Sequence, residues 1–135
     1  MSQTDDQNNV YQLLGGEKII RELTKRFYYH MDTRTDAAII RKMHPADLSS
    51  SEEKLFMFLS GWLGGPQLFQ EKYGHPRLRA RHFPFKIGKP ERDQWMLCMV
   101  HAFEDLKIED PIKSELLHSL LRLADHMRNT EDVSS

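Results

Sequence analysis

Gly74-His75-Pro76-Arg77-Leu78-Arg79-Ala80-Arg81-His82-Phe83-Pro84-Phe85 is the stretch on which the reading of this chain turns. Pro76 suits the first position of a helix, and Pro84 forbids much helix beyond His82, so a helix of about two turns is expected between them. Leu78 and His82, four apart, then share a face. A neutral imidazole binds a transition metal through one nitrogen while a hydrogen bond holds the other. Here Nδ1–H is expected to donate to a carbonyl one turn back, near Leu78, which leaves Nε2 for a metal. The neighbouring arginines can hold carboxylates, and Phe83 and Phe85 can pack on a flat macrocycle. Those three provisions together describe the proximal side of a haem pocket.

Bulk properties narrow the setting. The chain has 135 residues, which suits one domain with a real core. Its formal net charge of -1 supplies no general field toward nucleic acid or anionic lipid. The single cysteine, Cys98, excludes an internal disulfide and any multi-cysteine zinc or iron–sulfur site. No apolar run approaches the length of a membrane span, and Met1-Ser2-Gln3-Thr4-Asp5-Asp6 lacks the features of a secretory signal. A cytoplasmic protein that does not bind membranes is expected. Residues 1–9 and 129–135 read as polar tails around one domain over 10–128.

Within that domain the periodicity is helical. A short helix over 10–14 stops at Gly15-Gly16. The next, over 17–31, carries Ile19, Ile20, Leu23, Phe27 and Met31 as its buried stripe, with Tyr28 at the edge. A segment over 36–43 is cut off by Pro45. Ser49-Ser50-Ser51-Glu52-Glu53 reads as hydroxyl caps followed by acids, opening a helix with a wide apolar face that includes Leu55, Phe58 and Trp62. Gly64-Gly65-Pro66 ends it, and 67–73 reads as loop with some helical turns. Pro90 opens a long helix to about Leu106, and Pro111 opens the last, to about Met127.

Each candidate residue also has a plainer reading. His82 fits a capping histidine on a basic helix. Arg77, Arg79 and Arg81 fit a solvated face or a phosphate-tracking strip with Phe83 and Phe85 as stacking platforms. They also fit partners for haem propionates, for which Arg79 and Arg81 are the nearer candidates. Trp95 and Tyr28 lie on or beside apolar stripes, yet their polar hydrogens need partners if buried. A bound diatomic ligand carrying partial negative charge satisfies both, and His44 is a third such donor or a loop residue. His118 and His126 lack the spacing of a zinc pair, and there is no His-Glu-x-x-His motif, phosphate loop or Gly-x-Ser-x-Gly elbow. Cys98 is expected to pack rather than react.

From about Tyr11 to Asn129 the chain resembles the truncated haemoglobins, and among them group II. The resemblance is carried by Gly15-Gly16, Phe27-Tyr28, Leu63-Gly64-Gly65-Pro66, the 74–85 stretch quoted above and Glu91-Arg92-Asp93-Gln94-Trp95-Met96-Leu97-Cys98-Met99. It implies an all-α fold, a shortened globin in which a two-over-two helical sandwich encloses haem. The pairs are 17–31 with 52–63 and 90–106 with 112–128. It implies haem b, with His82 as the proximal iron ligand. Leu78, Arg79, Arg81 and Phe85 become candidate cofactor contacts. Tyr28 and Trp95 become distal groups, Ser51 a small residue at the ligand-entry position, and Leu55 and Phe58 apolar lining. The chain departs from the group at His44, where Tyr or Phe is usual, and in a longer stretch between Tyr28 and His44. Three readings of His44 stay open: a hydrogen-bond donor to bound ligand, a group that titrates near neutral pH, or a sixth ligand to the iron.

The function implied is reversible binding of O2, CO or NO at a pentacoordinate ferrous iron. The alternatives are a haem redox enzyme, reducing peroxide or converting nitric oxide to nitrate, and a non-haem helical module binding nucleic acid through the 77–86 strip. Near-zero net charge disfavours the last. A reductase is the partner such a redox cycle requires, and a monomer or homodimer is the expected state.

Overall fold

Three helices of this chain begin where an asparagine side chain or a glycine stands at the cap. The structure, a computed structural model, describes residues 9–130, and those residues contain helices and no strand. Asn9 opens α1, Val10–Leu14, by accepting from Gln12 N–H at 2.9 Å, and its Nδ2 donates to Gly64 O at 2.8 Å. Gly15 and Gly16, both at positive φ, turn the chain into α2, Glu17–Thr33. A 3-10 turn over Thr35–Ala37 leads to α3, Ala38–Lys42. Then follow α4, Ser49–Trp62, α5, Leu68–Tyr73, and α6, Leu78–His82. Two long helices, α7 over Lys89–Asp105 and α8 over Ile112–His126, complete the order.

Three local expectations change. The serines at 49–51 lie inside the first turn of α4, and the capping acceptor is Asp47 Oδ1, which takes both Ser49 N–H at 2.9 Å and Ser49 Oγ–H at 2.6 Å. Pro76 does not open α6, because Arg77 adopts the left-handed conformation with φ 46° and helix starts only after it. The stretch after Pro66 is a six-residue helix rather than loop. The tails proper lie outside the described residues. Asn9, Asn129 and Thr130, read with them, are hydrogen-bonded into the body of the fold.

The core joins two helix pairs. α2 packs on α4, α7 packs on α8, and the most extensive packing is between α2 and α7. Ile20, Leu23, Phe27 and Met31 of α2 meet Cys98, Met99, Ala102 and Phe103 of α7, all essentially excluded from solvent. This is the two-over-two sandwich. Gly65 lets the turn after α4 lie against Tyr11, since an added Cβ would sit 2.4 Å from that ring. Burial pushes the Cys98 thiol up to about 11, so it packs as a protonated group.

One polar cluster crosses the α2–α7 contact. Asp105 accepts from His30 Nε2 at 2.6 Å and from Arg26 Nε at 2.9 Å. Burial pushes the Asp105 carboxyl up, but the His30 and Arg26 hydrogen bonds outweigh it and hold the group below its ordinary range. A depressed carboxylate contributes stability above its unfolded value of about 3.9, and that stability is lost as pH falls through the lower folded value. Asp105→Asn is therefore expected to lower stability at neutral pH and to flatten its decline in that acid window. Denaturant titrations across the window check this, and an unchanged acid profile would assign the decline to other carboxylates.

Candidate functional site

His82 is the last residue of α6, and its Nδ1 lies 2.6 Å from Leu78 O. A carbonyl only accepts, so Nδ1 carries the hydrogen and Nε2 presents a lone pair. Nε2 has no partner among the described residues. The segment that follows is held by a residue sequence reading missed. Asn129 Oδ1 accepts from Ile87 N–H at 2.9 Å, while its Nδ2 donates to Phe85 O at 2.8 Å and His82 O at 3.2 Å. A lone asparagine past the last helix carries no sequence signal for such a role.

The His82 ring lines a cavity of about 500 Å³. The same cavity takes in Tyr28, His44, Ser51, Leu55, Phe58, Leu78, Arg81, Phe85 and Trp95, so most of the sequence-nominated residues meet there. Ile40, Met43 and Ile87 join them, as do Leu123, Ala124 and Met127 on the apolar stripe of α8. The walls are mainly apolar, and Lys54, Arg81 and Arg92 bring cationic groups to them. Glu91 is the only carboxylate among the lining residues, and its Oε1 accepts from Gly88 N–H at 2.8 Å.

Arg79 corrects an expectation. It does not line the cavity, because its guanidinium donates to His126 O at 3.2 Å and Arg128 O at 3.0 Å, where α8 ends. Arg81 does line it, with Nε donating to Pro76 O at 2.6 Å and its guanidinium over the Phe69 ring. The 77–86 strip is thus not a row of free cations.

Tyr28, Trp95 and His44 also line the cavity, the first two without a hydrogen-bond partner among the described residues. Tyr28 is buried, its ring edge-on to Phe27 at 4.9 Å, and its hydroxyl has no hydrogen bond among the described residues. Burial, reinforced by Glu52, pushes its pKa well above the ordinary phenol value, so it remains a donor. Trp95 packs against Phe27 at 5.2 Å, and its indole N–H is likewise without a partner among those residues. His44 is engaged on one side. Its Nδ1 lies 2.8 Å from Ile40 O, so the neutral ring donates there and its Nε2 can only accept.

An apolar cavity with an unengaged imidazole lone pair, cationic groups and two unpartnered donors fits an iron porphyrin with a polar ligand. The family described as bacterial-like globin matches residues 9–129. The chain belongs to this family. Among its relatives, the group 2 truncated haemoglobin YjbI of Bacillus subtilis is 36% identical, covering 95% of this chain and 96% of its own. The group II 2-on-2 haemoglobin of Agrobacterium tumefaciens superposes with a TM-score of 0.85 at 48% identity, covering 91% of this chain and 95% of that one. A truncated oxygen-avid haemoglobin from Bacillus subtilis gives a TM-score of 0.84 at 35% identity over 90% of this chain and 100% of that one. This globin is therefore a group II truncated haemoglobin, a haem protein that binds small ligands. No helix among its described residues is long and apolar enough to cross a membrane.

Asn129→Ala removes three side-chain hydrogen bonds to the 82–87 segment of this haemoglobin. A cost of about 1–3 kcal/mol is expected, because Ile87 N–H loses its acceptor. Loss of haem to an excess of a haem-scavenging apoglobin should accelerate. An unchanged rate would show that α6 holds its position without Asn129.

Proposed function

We propose that this globin binds haem b in the cavity, with His82 Nε2 as the iron's protein ligand, and takes up O2 reversibly on the five-coordinate ferrous form. The observation that carries this reading is the Nδ1–H bond from His82 to Leu78 O, which leaves Nε2 as a lone pair facing the cavity. Haem supplies the metal that O2, CO or NO binds. The protein's part is to orient the His82 ring, to bury the macrocycle between α4, α7 and α8, and to direct donors at the ligand. Arg81 and Arg92, and Lys54 across the cavity, suit propionate carboxylates. Tyr28 O–H and Trp95 N–H donate to a ligand that carries partial negative charge. The oxygen-avid relative supports O2 as that ligand. Ser51, small and cavity-lining, leaves the entry position without a bulky gate.

His82→Leu should abolish the Soret band of protein purified from iron-replete cells, and a native five-coordinate ferrous spectrum in that variant would refute the ligand assignment. Tyr28→Phe and Trp95→Phe should each speed O2 dissociation by roughly twofold to tenfold, the worth of one neutral hydrogen bond. Stopped-flow O2 release measures this, and unchanged rates in both variants would remove these donors from ligand retention.

A further inference from the structure

The charge of this chain is sorted along its length. Between Glu71 and Glu91 there is no carboxylate, yet the stretch carries Lys72, Arg77, Arg79, Arg81, Lys86 and Lys89. All 20 Asp and Glu lie outside it, in a chain whose formal net charge is -1. Elsewhere the arginines meet acids: Arg21, Arg26, Arg34, Arg41 and Arg92 each hold a carboxylate within 2.9 Å. The first five cations of the stretch are all exposed, and none of them is in an ion pair among the described residues. Arg79 and Arg81 donate to carbonyls, which hold a guanidinium without cancelling its charge.

This basic surface reaches the rim of the cavity and carries aromatic rings. Phe69 lines the cavity, and Tyr73 lies against it with ring centroids 5.0 Å apart. Lys54 Nζ and Lys72 Nζ stand 5.7 Å and 5.4 Å from the Tyr73 centroid, and the Arg81 guanidinium stands 5.1 Å from that of Phe69. Three cations thus surround one aromatic pair, whose inner ring belongs to the cavity and whose outer ring is 39% exposed. Phe83 is 62% exposed, with the Arg79 guanidinium over it. Exposed aromatic rings among arginines are the composition of a protein contact. Lys54 and Arg81 also line the cavity, whereas Lys72, Arg77 and Lys86 do not, so the charge of these three is left for something outside.

The acids of the rest of the chain repel a long polyanion or an anionic bilayer laid across it, but a small acidic patch meets the basic face alone. Oxidised haem regains the ferrous state that O2 requires only with an electron from outside. We propose that the face formed by Lys72, Arg77, Lys86 and the Phe69–Tyr73 pair docks a small acidic one-electron carrier protein, which reduces the ferric holoprotein across the cavity rim. One electron leaves the carrier, which is oxidised, and the iron passes from ferric to ferrous. No bond to hydrogen forms or breaks. This inference rests on the haem-binding reading and names a partner of that site. The attraction acts before contact, so it raises the rate of encounter and fades as salt is added.

A plant-type [2Fe–2S] ferredoxin, acidic and strongly reducing, is the probe. Calorimetry of oxidised ferredoxin with the ferric holoprotein gives an affinity without turnover. Anaerobic stopped-flow mixing of reduced ferredoxin under CO gives the rate of reduction. Both should weaken by on the order of tenfold as ionic strength rises from about 0.01 M to about 0.15 M. Lys72→Glu, Arg77→Glu and Lys86→Glu, made together, should lower both by roughly tenfold to a hundredfold at the lower salt. Lys72→Arg, Arg77→Lys and Lys86→Arg, made together, should keep them. Reduced methyl viologen, a small cation, needs no basic face and should reduce the charge-reversed variant at least as fast as the wild type. A wild type that does not bind ferredoxin at low salt would overturn the proposal, as would a charge-reversed variant unchanged in affinity and rate. Tighter binding to a single-stranded oligonucleotide or a phosphatidylserine vesicle than to ferredoxin, at the same salt, would overturn it too. Wild-type protein with no Soret band at all would instead fail the haem-binding reading.

Discussion

The hydrogen bond from His82 Nδ1 to Leu78 O is the interaction on which the site depends. It does two things that the identity of the residue alone does not. It places the proton on the nitrogen facing the helix, and it stops rotation about the ring's bond to the chain. An imidazole without it would divide its time between tautomers, and only one has a lone pair where a metal can use it. α6 is only five residues long and its N-terminal flank at Arg77 is left-handed, so its own helical bonds cannot hold it in place. Asn129 supplies the missing rigidity from beyond the end of α8. The first turn of that support is backbone as well, since Asn129 N–H donates to Ile87 O at 2.9 Å.

The same bond recurs at His44, again from Nδ1 to the carbonyl four residues back. Two rings with one local geometry thus line one cavity, and their surroundings separate them. His82 sits on a segment tied to the C-terminal end of α8. His44 sits at the end of α3, which Gln94 and Arg41 tie to α7 and to Asp32. Tyr28 stands beside His44, kept neutral by burial, so donor and acceptor face the cavity side by side.

The four long helices were legible in the sequence because each buries a stripe at helical spacing, and periodicity survives any detail of packing. The short helix that ends at His82 was legible because two prolines bracket it. The residues that went unread share one property: they act through side-chain bonds to backbone groups far along the chain. Asn129 reaches back more than forty positions and Gln94 more than fifty, and neither leaves a local pattern. Arg79 is placed away from the cavity lining for the same reason. Its guanidinium found the carbonyls ending α8, which no reading of the 74–85 stretch contains. Asp47 displaced the serines as cap because a carboxylate two residues upstream outcompetes hydroxyls that the helix has already absorbed.

Polarity in the cavity follows from how each group can be neutral. Arginine and lysine cannot shed their charge, and Lys54 and Arg92 keep exposed or ion-paired surroundings, the latter against Asp93 and Asp125. Tyrosine, tryptophan and histidine have neutral forms, so they alone can stand in apolar walls without a counter-charge. Of these, tyrosine at physiological pH and tryptophan at any pH present hydrogens. Only histidine, while neutral, also presents a lone pair basic enough to bind a metal, and which nitrogen presents it is decided by the bond at the other. The two histidines that line this cavity are both anchored through Nδ1, which leaves Nε2 of each neutral ring as the free lone pair.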